Sequence, residues 1–180
     1  MRIITGTAKG LKLKTPKGFS TRPTGDRVKE SLFSILNGLI DFSVVNVLDI
    51  FAGTGALGME SLSRGAISAT FIDFATADLI SENLRRAKFS NAKILRDDFS
   101  KCLKKLSAQN LQFDLIFSDP PYKKNLAAAS INLVAELNLL TPEGLMLVEY
   151  GADEMLDCEI LKCIRKINYG STTAVNIYKR

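Results

Sequence analysis

Val44-Val45-Asn46-Val47-Leu48-Asp49-Ile50-Phe51-Ala52-Gly53-Thr54-Gly55-Ala56-Leu57-Gly58 runs from an apolar, β-branched stretch straight into a Gly-x-Gly-x-x-Gly turn. Residues 44–50 read as a central strand buried on both faces. A helix is expected to begin near Ala56. Glycines at such a strand-to-helix turn let the backbone bend tightly and approach a ligand closely, so a side chain at Gly55 is expected to intrude on ligand space. The spacing alone also serves NAD and FAD proteins, and a packing turn without a ligand can carry it. Asp49 adds information. An acid just before the glycines faces a dinucleotide pyrophosphate unfavourably, and it favours the positively charged methionine end of S-adenosylmethionine.

Outward from this loop, strands and helices alternate. Residues 69–73 form a second strand ending in Asp73, 20 positions after Gly53. An acid there can accept from both ribose hydroxyls, in NAD and S-adenosylmethionine alike. A helix over 76–89 and a short strand over 93–96 follow. In Asp97-Asp98-Phe99, an acid can accept from an adenine amine with Phe99 packing nearby, or it can cap the next helix, 101–107. Then come a strand over 112–117, a helix over 125–138, a turn at Thr141-Pro142-Glu143-Gly144 and a strand over 145–150. Runs at 160–168 and 172–178, around Gly170, read as an antiparallel pair. This order predicts a doubly wound, Rossmann-like α/β fold.

The fourth strand leads into Phe117-Ser118-Asp119-Pro120-Pro121-Tyr122. Asp119 offers a carboxylate acceptor at a strand's carboxyl end. Pro120 and Pro121 stiffen the turn and leave its carbonyls free to accept. Tyr122 offers a flat face for stacking. Acceptors beside an aromatic platform suit the exocyclic amine of a nucleobase. The plainer reading is a proline turn with Asp119 capping a helix.

Composition narrows the field. The chain has 180 residues, 46% of them hydrophobic, with no histidine and three cysteines that lack Cys-x-x-Cys spacing. Histidine bases are thereby excluded, and the odd cysteine count argues against a disulfide framework. No metal site is expected, and a reducing cytoplasm fits the cysteine usage. No run is apolar enough to suggest a membrane span. The net charge of +5 is uneven, because residues 1–22 hold six basic side chains and no acidic one. Candidate strands at 2–5 and 11–14 flank Lys9, and the second carries Lys12 and Lys14. Arg22 and Arg27 flank the positive end of an expected helix over 25–40. Phosphate contact and a solvated basic face are the two readings of this arm.

Together, Arg2-Ile3-Ile4-x-Gly6, Lys9-Gly10, Thr21-Arg22-Pro23-Thr24, Arg27-Val28-Lys29-Glu30, Val47–Gly58 and Asp119-Pro120-Pro121-Tyr122 resemble the RsmD-type family of bacterial 16S rRNA guanine-N2 methyltransferases over most of the chain. Thr-Arg-Pro-Thr is the more family-specific segment; the glycine loop and Asp-Pro-Pro-Tyr occur across many amino-methyltransferases. The resemblance implies a mostly parallel seven-stranded class I methyltransferase sheet with a C-terminal antiparallel hairpin. A basic hairpin-and-helix appendage over 1–40 would precede a catalytic domain over 41–180. It implies S-adenosylmethionine held by Asp49, Phe51, Ala52, Gly53, Thr54, Gly55, Asp73, Asp98 and Phe99. Catalysis would fall to Asp119, Pro120 and Tyr122. Substrate contacts would come from Lys9, Lys12, Lys14, Arg22, Arg27, Pro121 and Tyr122. The partner would be 16S rRNA in the small ribosomal subunit or its assembly intermediate, met by a monomer. Asp73 stands where the family more often has Glu, and Asp97-Asp98 where a small residue usually precedes Asp. A DNA amino-methyltransferase would usually need a target-recognition region for which 180 residues leave little room. A dehydrogenase has no use for Asp-Pro-Pro-Tyr. Intact Asp49, Gly53, Gly55 and Asp119 count against a non-catalytic ribosome-binding factor.

Overall fold

The computed structural model describes residues 1–16, 23–122 and 124–180. Seven strands form one sheet in the order β3-β2-β1-β4-β5-β7-β6. They are β1 (Asn46–Ile50), β2 (Ser68–Ile72), β3 (Ala92–Leu95), β4 (Phe113–Ser118), β5 (Leu140–Gly151), β6 (Lys162–Tyr169) and β7 (Thr173–Lys179). The first five are parallel to one another, and β7 runs antiparallel to both β5 and β6. Helices α1 (Pro23–Leu36), α2 (Ala56–Ser63), α3 (Ala77–Ala87), α4 (Phe99–Ala108) and α5 (Leu126–Glu136) fill the connections and cover the faces. Strand alternation divides the core: Val47, Leu115, Phe117 and Leu147 face one layer, and Leu48, Ile50, Ile116 and Val148 face the other. Ile3, Leu13, Leu32, Phe33 and Leu36 belong to the first layer, so the N-terminal arm and α1 share a core with the sheet. Among the described residues, no helix is long and apolar enough to cross a membrane.

Three local differences from the sequence reading have physical causes. The expected strands at 2–5 and 11–14 reduce to one antiparallel bridge, Arg2 to Lys12. The amides of Ile4 and Thr5 donate to Glu60, and those of Thr7 and Ala8 to Ser63, so α2 takes the donors a longer ladder would need. The first central strand starts at Asn46 rather than Val44, because Asp41 caps a 3-10 turn at Phe42–Val44. β5 starts at Leu140, before the expected turn. Its pairing with β4 jumps from Leu140 to Leu145, and Thr141–Gly144 bulge out opposite Asp114.

Candidate functional site

β1 and β4 end side by side, with Ile50 paired to Ser118, and Ser118 pairs with Val148 near the end of β5. This brings the glycine loop, Asp119-Pro120-Pro121-Tyr122 and the end of β5 to one edge, where doubly wound sheets place ligands.

The three glycines answer to different constraints. Gly53 has φ +57°, and a Cβ there would meet only the Phe51 carbonyl oxygen at 3.9 Å. It is the glycine with open space before it. Gly55 has φ +77°, and its Cβ would lie 2.7 Å from Met59 and 3.3 Å from Phe71. The side chain expected to intrude on a ligand would therefore strike the core first. At Gly58 a Cβ would lie 2.4 Å from the Phe71 ring. Phe51 takes a positive φ of 60°, unusual for a bulky residue. Its ring meets that of Phe99 at 4.8 Å, joining two residues read separately as cofactor contacts.

Asp49 is buried and accepts from the Gly58 amide at 2.9 Å, bracing the first turn of α2. Burial pushes its carboxyl up to about 7; the Gly58 bond pulls it down and the charge of Asp73 adds to the rise. Asp73 accepts from the Gly53 amide at 2.9 Å and from the Ala75 and Thr76 amides, so it ties the end of β2 to the glycine loop. Asp98 is the N-cap of α4, accepting from the Ser100 and Lys101 amides and the Ser100 hydroxyl. The Ser100 bond does most to hold its carboxyl below the usual range. Ala52 is buried and Thr54 half-buried.

Around the second motif, Pro120 is buried, Pro121 exposed and Tyr122 half-buried. Asp119 is exposed as a residue, while protein crowds its carboxyl. Loss of bulk water there, then the charges of Glu149 and Asp49, push the carboxyl well above the usual carboxylate range. Tyr122 is more than a flat face. Its hydroxyl donates to Glu149 Oε1 at 2.6 Å and lies 3.1 Å from Thr173 Oγ1. Burial, then Glu149, raises the phenol.

Of the basic residues, Lys9, Lys12 and Arg27 are exposed. Lys14 is exposed too, but pairs with Glu82 on α3. Arg22 lies outside the described residues. Sequence reasoning passed over Asn83, whose buried amide accepts from the Lys14 amide at 2.8 Å and donates to the Lys14 and Thr54 carbonyls, each at 3.1 Å, clamping the basic arm to the glycine loop. It also passed over Phe74, a 71% exposed ring directly after Asp73, and Glu149. An aromatic directly after the strand-ending acid was the available signal for Phe74. Depressions at Ile94–Lys105 and Ser107–Asn138 collect none of the glycine-loop or Asp-Pro-Pro-Tyr residues.

This fold is that of the S-adenosylmethionine-dependent methyltransferases. Residues 1–179 match the family model described as conserved hypothetical protein 95, and the chain belongs to that family, the RsmD-type methyltransferases. It is 41% identical over 160 residues to ribosomal RNA small subunit methyltransferase D of Haemophilus influenzae, spanning 87% of this chain and 81% of that one. To the Escherichia coli K12 protein of the same name it is 38% identical over 151 residues, 83% of this chain and 74% of that one. A solved structure of a hypothetical protein from Thermus thermophilus superposes with TM-score 0.85 at 28% identity, covering 100% of this chain and 99% of that one.

Proposed function

We propose that the protein transfers a methyl group from S-adenosylmethionine to the exocyclic N2 of a guanine in 16S rRNA, acting as a cytoplasmic monomer on the small ribosomal subunit or its assembly intermediate. The observation that carries this reading is the seating of Asp119-Pro120-Pro121-Tyr122 beside the glycine loop, with Ile50 and Ser118 paired at the ends of β1 and β4. The family relationship supports the choice of RNA and of guanine.

The residues present fit the cofactor. Gly53 leaves open space before the loop, Asp49 places a carboxylate behind it, and Phe74 leaves a ring bare beside Asp73. Asp49 would favour the cationic end. Asp73, with acceptor capacity beyond its loop bonds, would take ribose hydroxyls. Asp98 and the Phe51–Phe99 ring pair would meet the adenine. When bound, S-adenosylmethionine supplies an electrophilic methyl on sulfonium, whose C–S bond breaks as the N2–C bond forms. Asp119 and the Pro120 carbonyl accept from the two amine hydrogens, which favours a more tetrahedral nitrogen with its lone pair aimed outward. Asp119, with its raised proton affinity, can take the proton N2 sheds. Tyr122 stacks on a base drawn out of its helix. Lys9, Lys12 and Arg27, with Arg22 and Lys14, would meet phosphates from the 1–40 appendage, leaving 41–180 as the catalytic domain.

Mass spectrometry of rRNA nucleosides from cells with and without the gene tests the assignment. One N2-methylguanosine in 16S rRNA should vanish with the gene and be restored in vitro by the purified protein. Loss of a methylated adenosine or cytidine instead would overturn the choice of base.

A further inference from the structure

The basic arm is laid along α3. The Lys14 amide and carbonyl meet the Asn83 side chain at 2.8 and 3.1 Å, and the Lys12 carbonyl accepts from Arg86 Nη1 at 2.9 Å. Residues 83 and 86 lie about one turn apart. The arm therefore runs antiparallel to the helix, from its last turn back towards Asn83, which also donates to the Thr54 carbonyl of the glycine loop. Arg86 sets the exposed Lys12 beside that last turn, where Arg85 and Lys88 are exposed as well. Residues 85–96 carry Arg85, Arg86, Lys88, Lys93 and Arg96 and no acid. The acids earlier on α3 are engaged, Asp78 with Arg96 and Glu82 with Lys14. One positive surface thus joins the arm to the end of α3.

Lys88 is the C-cap of α3 and sits in the left-handed region, at φ 59°. Its amide donates to the Arg85 and Leu84 carbonyls, and the Phe89 amide donates to the Leu84 carbonyl at 3.1 Å, which closes the helix end. Glycine is the usual residue for that conformation and asparagine the next, because a Cβ is crowded there. Asn110, Asn125 and Asn138, which also have positive φ, follow that rule; Lys88 does not. A lysine here costs stability that a glycine would recover. The helix dipole favours basic residues in a last turn, as Arg85 and Arg86 are. It does not require a charge at the one backbone position that disfavours a side chain.

We propose, resting on the RNA reading above, that the end of α3 is a second phosphate-contacting surface: Arg85 and Lys88, continuous with Lys12, hold the rRNA that flanks the target. This extends the substrate contacts beyond the 1–40 appendage. α3 begins just after the carboxyl end of β2, and its 11 residues span about 16 Å. RNA that delivers a base to the carboxyl edge therefore meets this surface a few nucleotides along its backbone. Such contacts are made equally before and during transfer, so they act on KM and not on kcat.

The test measures methyl transfer to small ribosomal subunits lacking the modification, across a salt series. Lys88→Gly removes the charge and relieves the left-handed position, so Tm should hold or rise while KM for the subunits rises ~3-fold or more. Arg85→Gln keeps a good helix former and should raise KM similarly. Each change should lower the slope of log KM against log salt by ~1, and the two together by ~2. Both kcat and S-adenosylmethionine affinity should stay at wild-type values. Lys162→Gln is the control: it removes an equal charge from β6, at the opposite end of the sheet from β3, and should leave KM and slope unchanged. A Lys88→Gly, Arg85→Gln enzyme with wild-type KM and salt slope overturns the inference and leaves these cations as a helix-end device. An equal rise from Lys162→Gln overturns it too, since overall charge would then be the cause. Failure of wild-type enzyme to transfer methyl to the subunits overturns the parent reading instead.

Discussion

Lys29 Nζ lies 3.1 Å from Glu60 Oε2, and both side chains are almost fully buried. The ammonium also donates to the Arg2 carbonyl at 2.6 Å. Glu60 accepts besides from the Ile4 amide at 2.7 Å, the Thr5 amide at 3.1 Å and Arg64 Nε at 3.0 Å. Burial lowers the Lys29 pKa, with Glu60 pulling the other way. One carboxylate on α2 thus anchors the N-terminal arm, α1 and the end of its own helix.

Glu60→Ala should therefore destabilise the fold by about 3–5 kcal/mol, the scale for leaving one member of a buried ion pair unpaired. It also strips the Ile4 and Thr5 amides of their acceptor. Thermal or urea unfolding reads this directly, and an unchanged Tm would show that the arm contributes little to stability.

The lysines of the arm should not contribute equally to RNA binding. Lys9 and Lys12 are exposed, whereas the Lys14 charge already faces Glu82. Lys9→Ala and Lys12→Ala should each reduce the salt slope of RNA binding by ~1. Lys14→Ala should reduce it less, and S-adenosylmethionine affinity should stay close to wild type in Lys9→Ala and Lys12→Ala. Filter binding across a salt series separates the variants; three equal slopes would contradict the pairing with Glu82.

Asp49 ties stability and cofactor binding to pH. Its folded carboxyl, at about 7, lies above the ordinary 3.8. A raised carboxyl contributes stability that is fully present below the unfolded value and is lost as pH rises through the folded one. Asp49→Asn keeps an acceptor for the Gly58 amide and cannot ionise. Relative to wild type, it should gain stability progressively as pH rises from the ordinary 3.8 to about 7 in urea melts. A cationic ligand favours the ionised form, so wild-type affinity for S-adenosylmethionine should rise from about pH 6 to pH 8 with proton release, read by calorimetry in buffers of different ionisation enthalpy. Asp49→Asn should bind more weakly and without that pH dependence.

Asp119→Ala should bind S-adenosylmethionine nearly normally but transfer methyl ~100-fold more slowly or worse, as when one oriented polar group is lost from a site sheltered from water. Asp119→Asn keeps an acceptor oxygen and should retain more activity. Because the wild-type carboxyl titrates above the usual range, single-turnover rates should fall as pH drops through that raised value, while the Asn variant stays flat there. Wild-type rates from Asp119→Ala on small subunits lacking the modification would reduce Asp-Pro-Pro-Tyr to a structural turn. A ring-face role alone would make Tyr122→Phe mild; the bond from its hydroxyl to Glu149 makes it slower than that, and Tyr122→Ala slower still.

Alternating strands and helices, the glycine loop and the Asp-Pro-Pro-Tyr turn were legible in the chain because each depends on neighbours within a few residues. Buried runs such as 46–50 and 113–117 and the glycine spacing specify strand, turn and helix locally. Parallel strands joined by helices then leave few ways to form a sheet, which puts both motifs at one edge. Gly55 shows where local reading stops. Its place in a tight strand-to-helix turn was visible, but the atoms that forbid a side chain, on Met59 and Phe71, were not.

What the tertiary structure alone decided are partnerships between ordinary residues far apart in sequence. Glu60 meets the Ile4 amide across 56 positions, Asn83 meets Lys14 across 69, and Tyr122 meets Glu149 across 27. A buried Glu, an Asn on a helix or a Glu within a strand carries no motif. Its hydrogen-bonding capacity takes on meaning only when the fold removes water and brings a specific donor within about 3 Å. The same holds for Lys14, whose charge looks available to RNA in the sequence until α3 sets Glu82 beside it.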